Sequence, residues 1–330
     1  MTPLHASRRG CLGLLALGAL VPDSVAWAQA FPSKTIQFIV PFPAGGATDT
    51  VARLLAEKMS KPLGQNIIVE NKGGAAGILG TDTVAKAPAD GHMLTVGLST
   101  SLLINQFLFK KLPYNAQRDL VLVSQIAVAP IVLVVHTSVP ANNAAELLKY
   151  LSAHKGKLSY GSWGIGSAAH LSGSELSQMQ GADMSHVPYK GEAPMLQDLL
   201  GGQIQLAFAS ALGAKPFIEA GRLKVIGVTG EKRMATLPKV PTLLEQGLTD
   251  DVFRVVGWIA MAAPAATPKP VVQRLAEAVK AAVAIPEVRE RIVAMGFDPV
   301  ARGPDEFAAI YKKDLPVWER LVKQSGATLD

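Results

Sequence analysis

"TIQFIVPFPAGGATDTVARLLAEKM", residues 35–59, decides how this chain is read. Thr35 to Val40 is a short apolar run of the kind that forms a buried strand. Val51, Leu54, Leu55 and Met59 then recur at helical spacing, and Gly64 supplies the stop. The join between them, "PFPAGGATDT" (residues 41–50), holds two glycines, a threonine and an aspartate. A strand that turns through glycines into a helix start is where α/β proteins hold phosphates, build catalytic sites or grip other anions.

The same alternation runs outward from this stretch. "NIIVEN" and "HMLTVG" read as strands around a glycine-opened helix that ends at Pro88. The segment from Asp119 to Val135 reads as strand leaving the first unit. A second unit follows. Its first helix, "NNAAELLKYLSAHKG", has Asn142 or Asn143 as cap and Glu146 near the third position. Then come strand "KLSYGS", helix "SAAHLSGSELSQMQG", strand "SHVPY", helix "APMLQDLLGG", and strands "QIQLAFAS" and "LKVIGVTG". "FRVVGWIAMAAP" reads as a strand crossing back to the first unit. Thr267 is read as an N-cap before Pro268, and Pro316 is expected to kink or split the last helix. The expected organisation is a leader over 1–30, a first domain over 31–132, a second over 133–254, and a return to the first over 255–330. Two α/β domains joined by strand-like crossovers leave a cleft between them, a favoured place for ligands.

The chain has 330 residues, 49% of them hydrophobic and 18% charged, which is a globular rather than a disordered composition. Its first thirty residues read as a secretory signal. Arg8 and Arg9 precede the apolar "CLGLLALGAL", and Ala28-Gln29-Ala30 offers small residues for cleavage after Ala30. The apolar run is about half the roughly 20 residues of a membrane span. The expected location is therefore the periplasm, by the general secretory route or, given the paired arginines, the twin-arginine route. The one cysteine, Cys11, lies in this segment, so a disulfide, a Cys–Zn site or a Cys nucleophile is excluded downstream. Losing Arg8, Arg9 and Asp23 takes the formal charge from +6 to +5. The basic residues are scattered without interleaved aromatics, which gives no nucleic-acid signature. A mildly positive field favours the approach of a small anion.

Catalytic patterns fail. In Gly161-Ser162-Trp163-Gly164 the serine directly follows the glycine, out of register with a nucleophile elbow. His170 lies three residues after Ser167 on one expected helix, where capping or packing within that helix explains it better than a triad. The histidines show no metal-ligand spacing, and neither glycine loop matches a dinucleotide or P-loop pattern. No cofactor is expected. "PAGGATD" and "SWGIGSAAH" do share one property: each puts small residues between a strand and a helix. Helix starts leave N–H groups unpaired with a partial positive charge, and glycine lets a ligand approach them. Two such loops, one per unit, suit an elongated molecule with an anionic group at each end, carboxylate as well as phosphate. The bland alternative is that each loop only joins a strand to a helix.

From about residue 31 to the C-terminus the sequence resembles the Bug family, the extracytoplasmic solute receptors of the tripartite tricarboxylate transporter type. The resemblance rests on residues 31–97, on "YGSWGIGSAAHLSGSEL", on "VPYKGEAPMLQDLLGGQIQLAF" and on "GRLKVIGVTGEKRMATLPKVPTLLEQG". It implies a Venus-flytrap fold of two α/β domains, a carboxylate ligand, no cofactor and no catalysis. It implies that the first loop, Phe42 to Asp49, holds one carboxylate. Ala44, Gly45 and Gly46 would give backbone or water contacts and Thr48 a hydroxyl, with Asp49 as helix cap rather than ligand contact. Ser99 would line the same wall. Ser162, Gly164, Gly166, Ser167 and His170 would form the opposite wall, with Tyr189 and Lys190 in the family's "PYKG" stretch. Lys190 reads equally as an ion-pairing group and as a solvated surface lysine.

Two departures from the family pattern bear on the ligand. Ala209-Ser210 stands where many members carry an aspartate, which argues for plain acids over amino acids. Trp163 replaces a small or polar residue; its indole either stacks on an aromatic ligand or packs on the domain surface or hinge. The expected function is capture of a small organic carboxylate, aromatic or bulky, by a monomer that closes on it and delivers it to membrane transporter subunits. The rivals are a periplasmic sensing adaptor for a signalling receptor, and a secreted hydrolase.

Overall fold

The structure is a computed structural model that describes residues 31–329. The expected signal, its cleavage site and Cys11 lie outside the described residues. The first lobe opens with β1 (Ile36–Val40), α1 (Ala47–Leu63), β2 (Ile67–Asn71), α2 (Ile78–Ala85), β3 (Met93–Leu98), α3 (Asn105–Leu108), α4 (Ala116–Asp119) and β4 (Leu120–Ala129). The second lobe follows as β5 (Val132–His136), α5 (Ala144–Ala153), β6 (Ser159–Ser162), α6 (Ala168–Met179), β7 (Ser185–Pro188), α7 (Glu192–Leu200), β8 (Leu206–Ala209), α8 (Ala211–Glu219) and β9 (Leu223–Val228). The chain returns through α9 (Asp251–Arg254) to β10 (Gly257–Pro264), α10 (Lys269–Ala284), α11 (Pro286–Ala294), β11 (Asp298–Arg302) and α12 (Pro304–Ser325).

Two mixed sheets result, in the orders β11-β4-β10-β3-β1-β2 and β7-β6-β8-β5-β9. β1 runs parallel to β2 and β3, and β6 parallel to β7 and β8. The crossover strands β10 and β5 are antiparallel to their neighbours. Ligands of open α/β sheets sit beyond the carboxyl ends of parallel strands. Here those ends are Val40, Leu98, Ser162, Pro188 and Ala209. Pairing of Gly257 with Ala129 and of Ile259 with Leu98 brings Ser99 and both crossovers to that same edge.

The crossovers are tied together by hydrogen bonds. Thr229 N–H donates to the Ile131 carbonyl at 2.9 Å, Ile131 N–H donates to Thr229 Oγ1 at 2.9 Å, and Gly230 N–H donates to the Phe253 carbonyl at 2.7 Å. One apolar cluster passes through this region and includes Ile39, Leu133, Phe208, Phe253 and Trp258. Trp258 is 1% exposed and meets Phe307 edge to face at 5.0 Å.

Several local expectations need correction. The single strand read over 119–135 is two strands in different sheets, broken at Pro130, which has no N–H for a ladder. The "FR" of "FRVVGW" closes α9 instead of opening a strand. α10 is capped one residue later than expected: Pro268 is the N-cap, and Thr267 Oγ1 turns back to donate to the Pro264 carbonyl at 2.7 Å. Pro316 does not split α12. The carbonyl of Lys312 that it deprives of a donor belongs to an exposed turn, while Phe307, Tyr311, Trp318 and Leu321 are buried and anchor the helix on both sides. Of the two candidate caps for α5, Asn143 is the one used. It accepts from Glu146 N–H at 2.9 Å while Glu146 accepts from Asn142 N–H at 2.7 Å.

Candidate functional site

The first loop leaves β1 at Pro41. Gly45 has φ +82°, a left-handed conformation that favours glycine. Gly46 is the N-cap of α1 and has no side chain to cap with. Asp49, three residues on and 4% exposed, bonds no amide of the first turn but reaches back to the loop ahead of the helix. Its Oδ2 accepts from Gly45 N–H at 2.8 Å and from Arg53 Nε at 3.1 Å, and its Oδ1 accepts from Asn71 Nδ2 at 3.0 Å. Asn71 also donates to the Phe42 carbonyl at 3.2 Å. Burial pushes the Asp49 carboxyl up, but the bonds from Arg53, Gly45 and Asn71 and the charge of Arg53 outweigh it and hold the group below the usual carboxylate range.

Asp49 is thus a third-position group reaching back, and it takes the Gly45 N–H that the loop was expected to offer a ligand. The amides of Ala47 and Thr48 remain at the helix start, because the first α-helical bond runs from Thr50 N–H to the Gly46 carbonyl. Ala44, Gly45 and Gly46 are exposed, and Thr48 is buried. Phe42 and Ser101 close on Gly77, where an added Cβ would lie 3.2 Å from the Phe42 ring and 2.9 Å from Ser101 Cβ. Ser99 is buried, with its hydroxyl beside Gly257.

The second loop leaves β6 at Ser162. Ser162 Oγ donates to the Gly164 carbonyl at 3.1 Å and shares a 2.7 Å hydrogen bond with His186 Nε2. Gly164 and Gly166 have φ +140° and +75°. A Cβ on Gly166 would come within 2.4 Å of Leu108, so this glycine also lets the loop lie against α3 of the first lobe. Ser167 caps α6 by accepting from His170 N–H at 3.2 Å. His170 Nδ1 accepts from Gly166 N–H at 3.1 Å, which leaves its proton on Nε2. Its ring stacks on His186 at 3.9 Å, and His186 on Tyr160 at 5.0 Å. Burial holds both imidazoles down at about 4, with the charge of His186 adding to the effect on His170. His170 therefore braces the loop from within. It also lines, with His186, Tyr160 and Ser174, a cavity of about 780 Å³.

Trp163 is half-buried and packs against apolar clusters that include Tyr160 and Met195. Tyr189 N–H donates to the Ser162 carbonyl at 2.9 Å, which aligns the two loops. Its hydroxyl donates to Asp198 at 2.7 Å, and burial together with Asp198 raises it to about 12. Lys190 is exposed and forms no ion pair with a described residue. Ala209 ends β8, and Ser210 caps α8 by accepting from Gly213 N–H at 3.0 Å.

Three groups that shape this edge were missed from the sequence. Asn71 and His186 act on partners 22 and 24 residues away, a distance no local pattern reports. Glu192, the first residue of α7, accepts from Ser210 N–H and from Ser210 Oγ, the latter at 2.7 Å. The missing aspartate at 209–210 is therefore not a missing carboxylate: α7 supplies one. An acidic residue directly after Gly191 at a helix start was the available clue. The Ser162–His186 pair also revives the hydrolase question and answers it. Ser162 is fully buried, and among the described residues no carboxylate stands behind His186.

Two α/β lobes, each with a helix-start loop at the carboxyl ends of its parallel strands, are the arrangement of a solute-binding protein of the periplasmic-binding-protein fold. Residues 51–327 match the family described as the tripartite tricarboxylate transporter family receptor, and the chain belongs to that family. The Bug resemblance is borne out. The chain is 37% identical over 320 residues to a UPF0065 protein from the tcbD-tcbE intergenic region of Pseudomonas sp. strain P51, covering 96% of this chain and 94% of that one. Among solved structures it is similar to the periplasmic binding protein BugD, at TM-score 0.73 and 36% identity over 90% of this chain and 99% of that one. It is also similar to R. palustris Rpa4515 with adipate, at TM-score 0.77 and 32% identity over 91% of this chain and 100% of that one. These are solute-binding proteins and not enzymes, and family members are periplasmic.

Proposed function

We propose that this protein is exported, cleaved after Ala30, and acts as a monomeric receptor that closes on a small organic carboxylate and delivers it to transporter subunits in the membrane. The observation that carries the reading is the pair of matched helix starts, α1 behind Pro41–Gly46 and α6 behind Trp163–Ser167, at the edges of the two sheets. One carboxylate is held by the amides of Ala47 and Thr48, with Phe42, Ala44, Gly46 and Ser99 around it. The Ser162–Ser167 loop meets the other end. The lobes divide near residues 132 and 254 and rock about the paired crossovers. Ligand contacts both walls only in the closed form, so binding shifts the population toward it.

The similarity to an adipate-bound neighbour supports an acid as ligand. Trp163, held half-buried by its packing, keeps part of an indole for an aromatic or bulky ligand. A thermal-shift screen of aliphatic and aromatic acids tests this, with mass spectrometry of the denatured protein to detect any ligand retained through purification. A ligand at a hundredfold excess over Kd adds about 2.7 kcal/mol to native stability. Tight binding of short aliphatic acids with none of aromatic acids would remove the aromatic reading; absence of binding by every acid, with no retained ligand, would remove the carboxylate reading itself.

A further inference from the structure

α8 follows β8, the strand beside β6, so it begins at the same edge of the second sheet as the Ser162–Ser167 loop, and at nine residues its start carries a real dipole end. A carboxylate already sits against that start. Ser210 N–H and Ser210 Oγ both donate to the Glu192 carboxylate, Oγ at 2.7 Å, while Oγ itself accepts from Gly213 N–H at 3.0 Å. The carboxylate lies close on the first turn: a Cβ on Gly213 would be 2.8 Å from Glu192 Oε2. Glu192 is half-buried, so its charge is weakly screened. This end of the second lobe also meets the first lobe, since a Cβ on Gly296 would lie 3.2 Å from Ala211 Cβ and 3.4 Å from Leu212 N. A molecule in the cleft that extends toward α8 therefore meets a fixed negative charge where a helix start would otherwise attract an anion.

We propose that Glu192 is a specificity residue: its carboxylate occupies the anion seat of α8 and restricts the receptor to acids with one carboxylate, whose far end is neutral or cationic. This rests on the reading of the cleft as a carboxylate site. Each Glu192 oxygen has accepted one bond and keeps a lone pair, so an ammonium, amide or hydroxyl at the far end is accommodated. A second carboxylate meets like charge at that helix start.

The test is titration calorimetry with two matched sets: hexanoate, 6-aminohexanoate and adipate; and benzoate, 4-(aminomethyl)benzoate and terephthalate. The wild type is expected to bind the better monocarboxylate of a set about tenfold or more tighter than its diacid. Glu192→Gln keeps the shape and an acceptor for Ser210 N–H, and should reduce or reverse that ratio through tighter diacid binding. Ser210→Ala keeps the charge and should leave the ratio standing, which separates the role of Glu192 from that of a structural cap. Thermal denaturation of each variant confirms folding. A wild type that binds diacids as tightly as monoacids, or a ratio that Glu192→Gln leaves unmoved, overturns the inference while leaving the carboxylate reading intact. If no acid in either set binds the wild type or any variant, both fall.

Discussion

Replacing Asp49 tests whether this carboxylate builds the first loop or touches the ligand. Asp49→Ala deletes an acceptor shared by Gly45 N–H, Asn71 Nδ2 and Arg53, at 2.8 to 3.1 Å. Net bonds to a charged acceptor are worth about 1.5–3 kcal/mol each, and a buried donor left without a partner costs about 1–3 kcal/mol. Arg53 is largely exposed and returns to water, so its share is small. Gly45 is exposed and Asn71 is half-buried with a second acceptor at Phe42, so neither is left dry, and the loss is roughly 2 kcal/mol for Asp49→Ala and about half that for Asp49→Asn, which keeps one acceptor oxygen. Both variants should also weaken acid binding by about tenfold, because the exposed loop is no longer held in its binding shape. Urea denaturation at neutral pH gives the stability loss and calorimetry gives the affinity. The sign with pH follows from the lowered carboxyl: its contribution is complete above the ordinary carboxylate range and is lost as the pH falls through the native value. An Asp49→Asn protein of unchanged stability that binds acids more tightly would refute this reasoning, because it would place the charge against the ligand.

The imidazole stack gives a pH prediction. His170 and His186 are neutral in the native state with values near 4, against 6.5 unfolded, so the unfolded chain binds more protons between those limits. Their contribution is complete above about pH 6.5 and shrinks as the pH falls toward about 4. Melting temperatures from pH 7.5 to 4 should show this, with a flatter profile for His186→Phe; equal slopes in the two proteins would contradict it. Gly166→Ala should cost about 1–2 kcal/mol for its left-handed backbone alone, plus the collision with Leu108. Adding Leu108→Ala should recover the collision but not the backbone cost, a difference that chemical denaturation of the single and double variants resolves. Tyr189→Phe should lose about 1.5 kcal/mol with the Asp198 bond and leave acid affinity unchanged. A large affinity loss in calorimetry would instead put that hydroxyl in the site.

Both glycine loops were legible in the sequence because their chemistry is local. "PAGGATD" and "GIGSAAH" place φ-permissive residues and a cap within a few positions of a helix start, and Gly45, Gly166 and Ser167 occupy those roles. What supports the loops was not legible, because it comes from elsewhere in the chain. Asn71 reaches Asp49 from the end of β2, His186 reaches Ser162 from β7, and Leu108 reaches Gly166 from the other lobe. β11 was missed for a different reason. It is a half-buried edge strand that contains Pro299 and is irregular between Pro299 and Arg302, so it shows neither alternation nor a run of β-branched residues. Pro316 misled in the opposite direction, since local chemistry argued for a break and the packing of Trp318 and Tyr311 overrode it.

The most direct test of the account is a crystal structure with the acid that stabilises the protein most. The account predicts a carboxylate oxygen within about 3 Å of the Ala47 or Thr48 amide, with the far end of the molecule against the Ser162–Ser167 loop. An acid bound instead in the cavity lined by Tyr160, His170 and His186, with the first loop untouched, would contradict it.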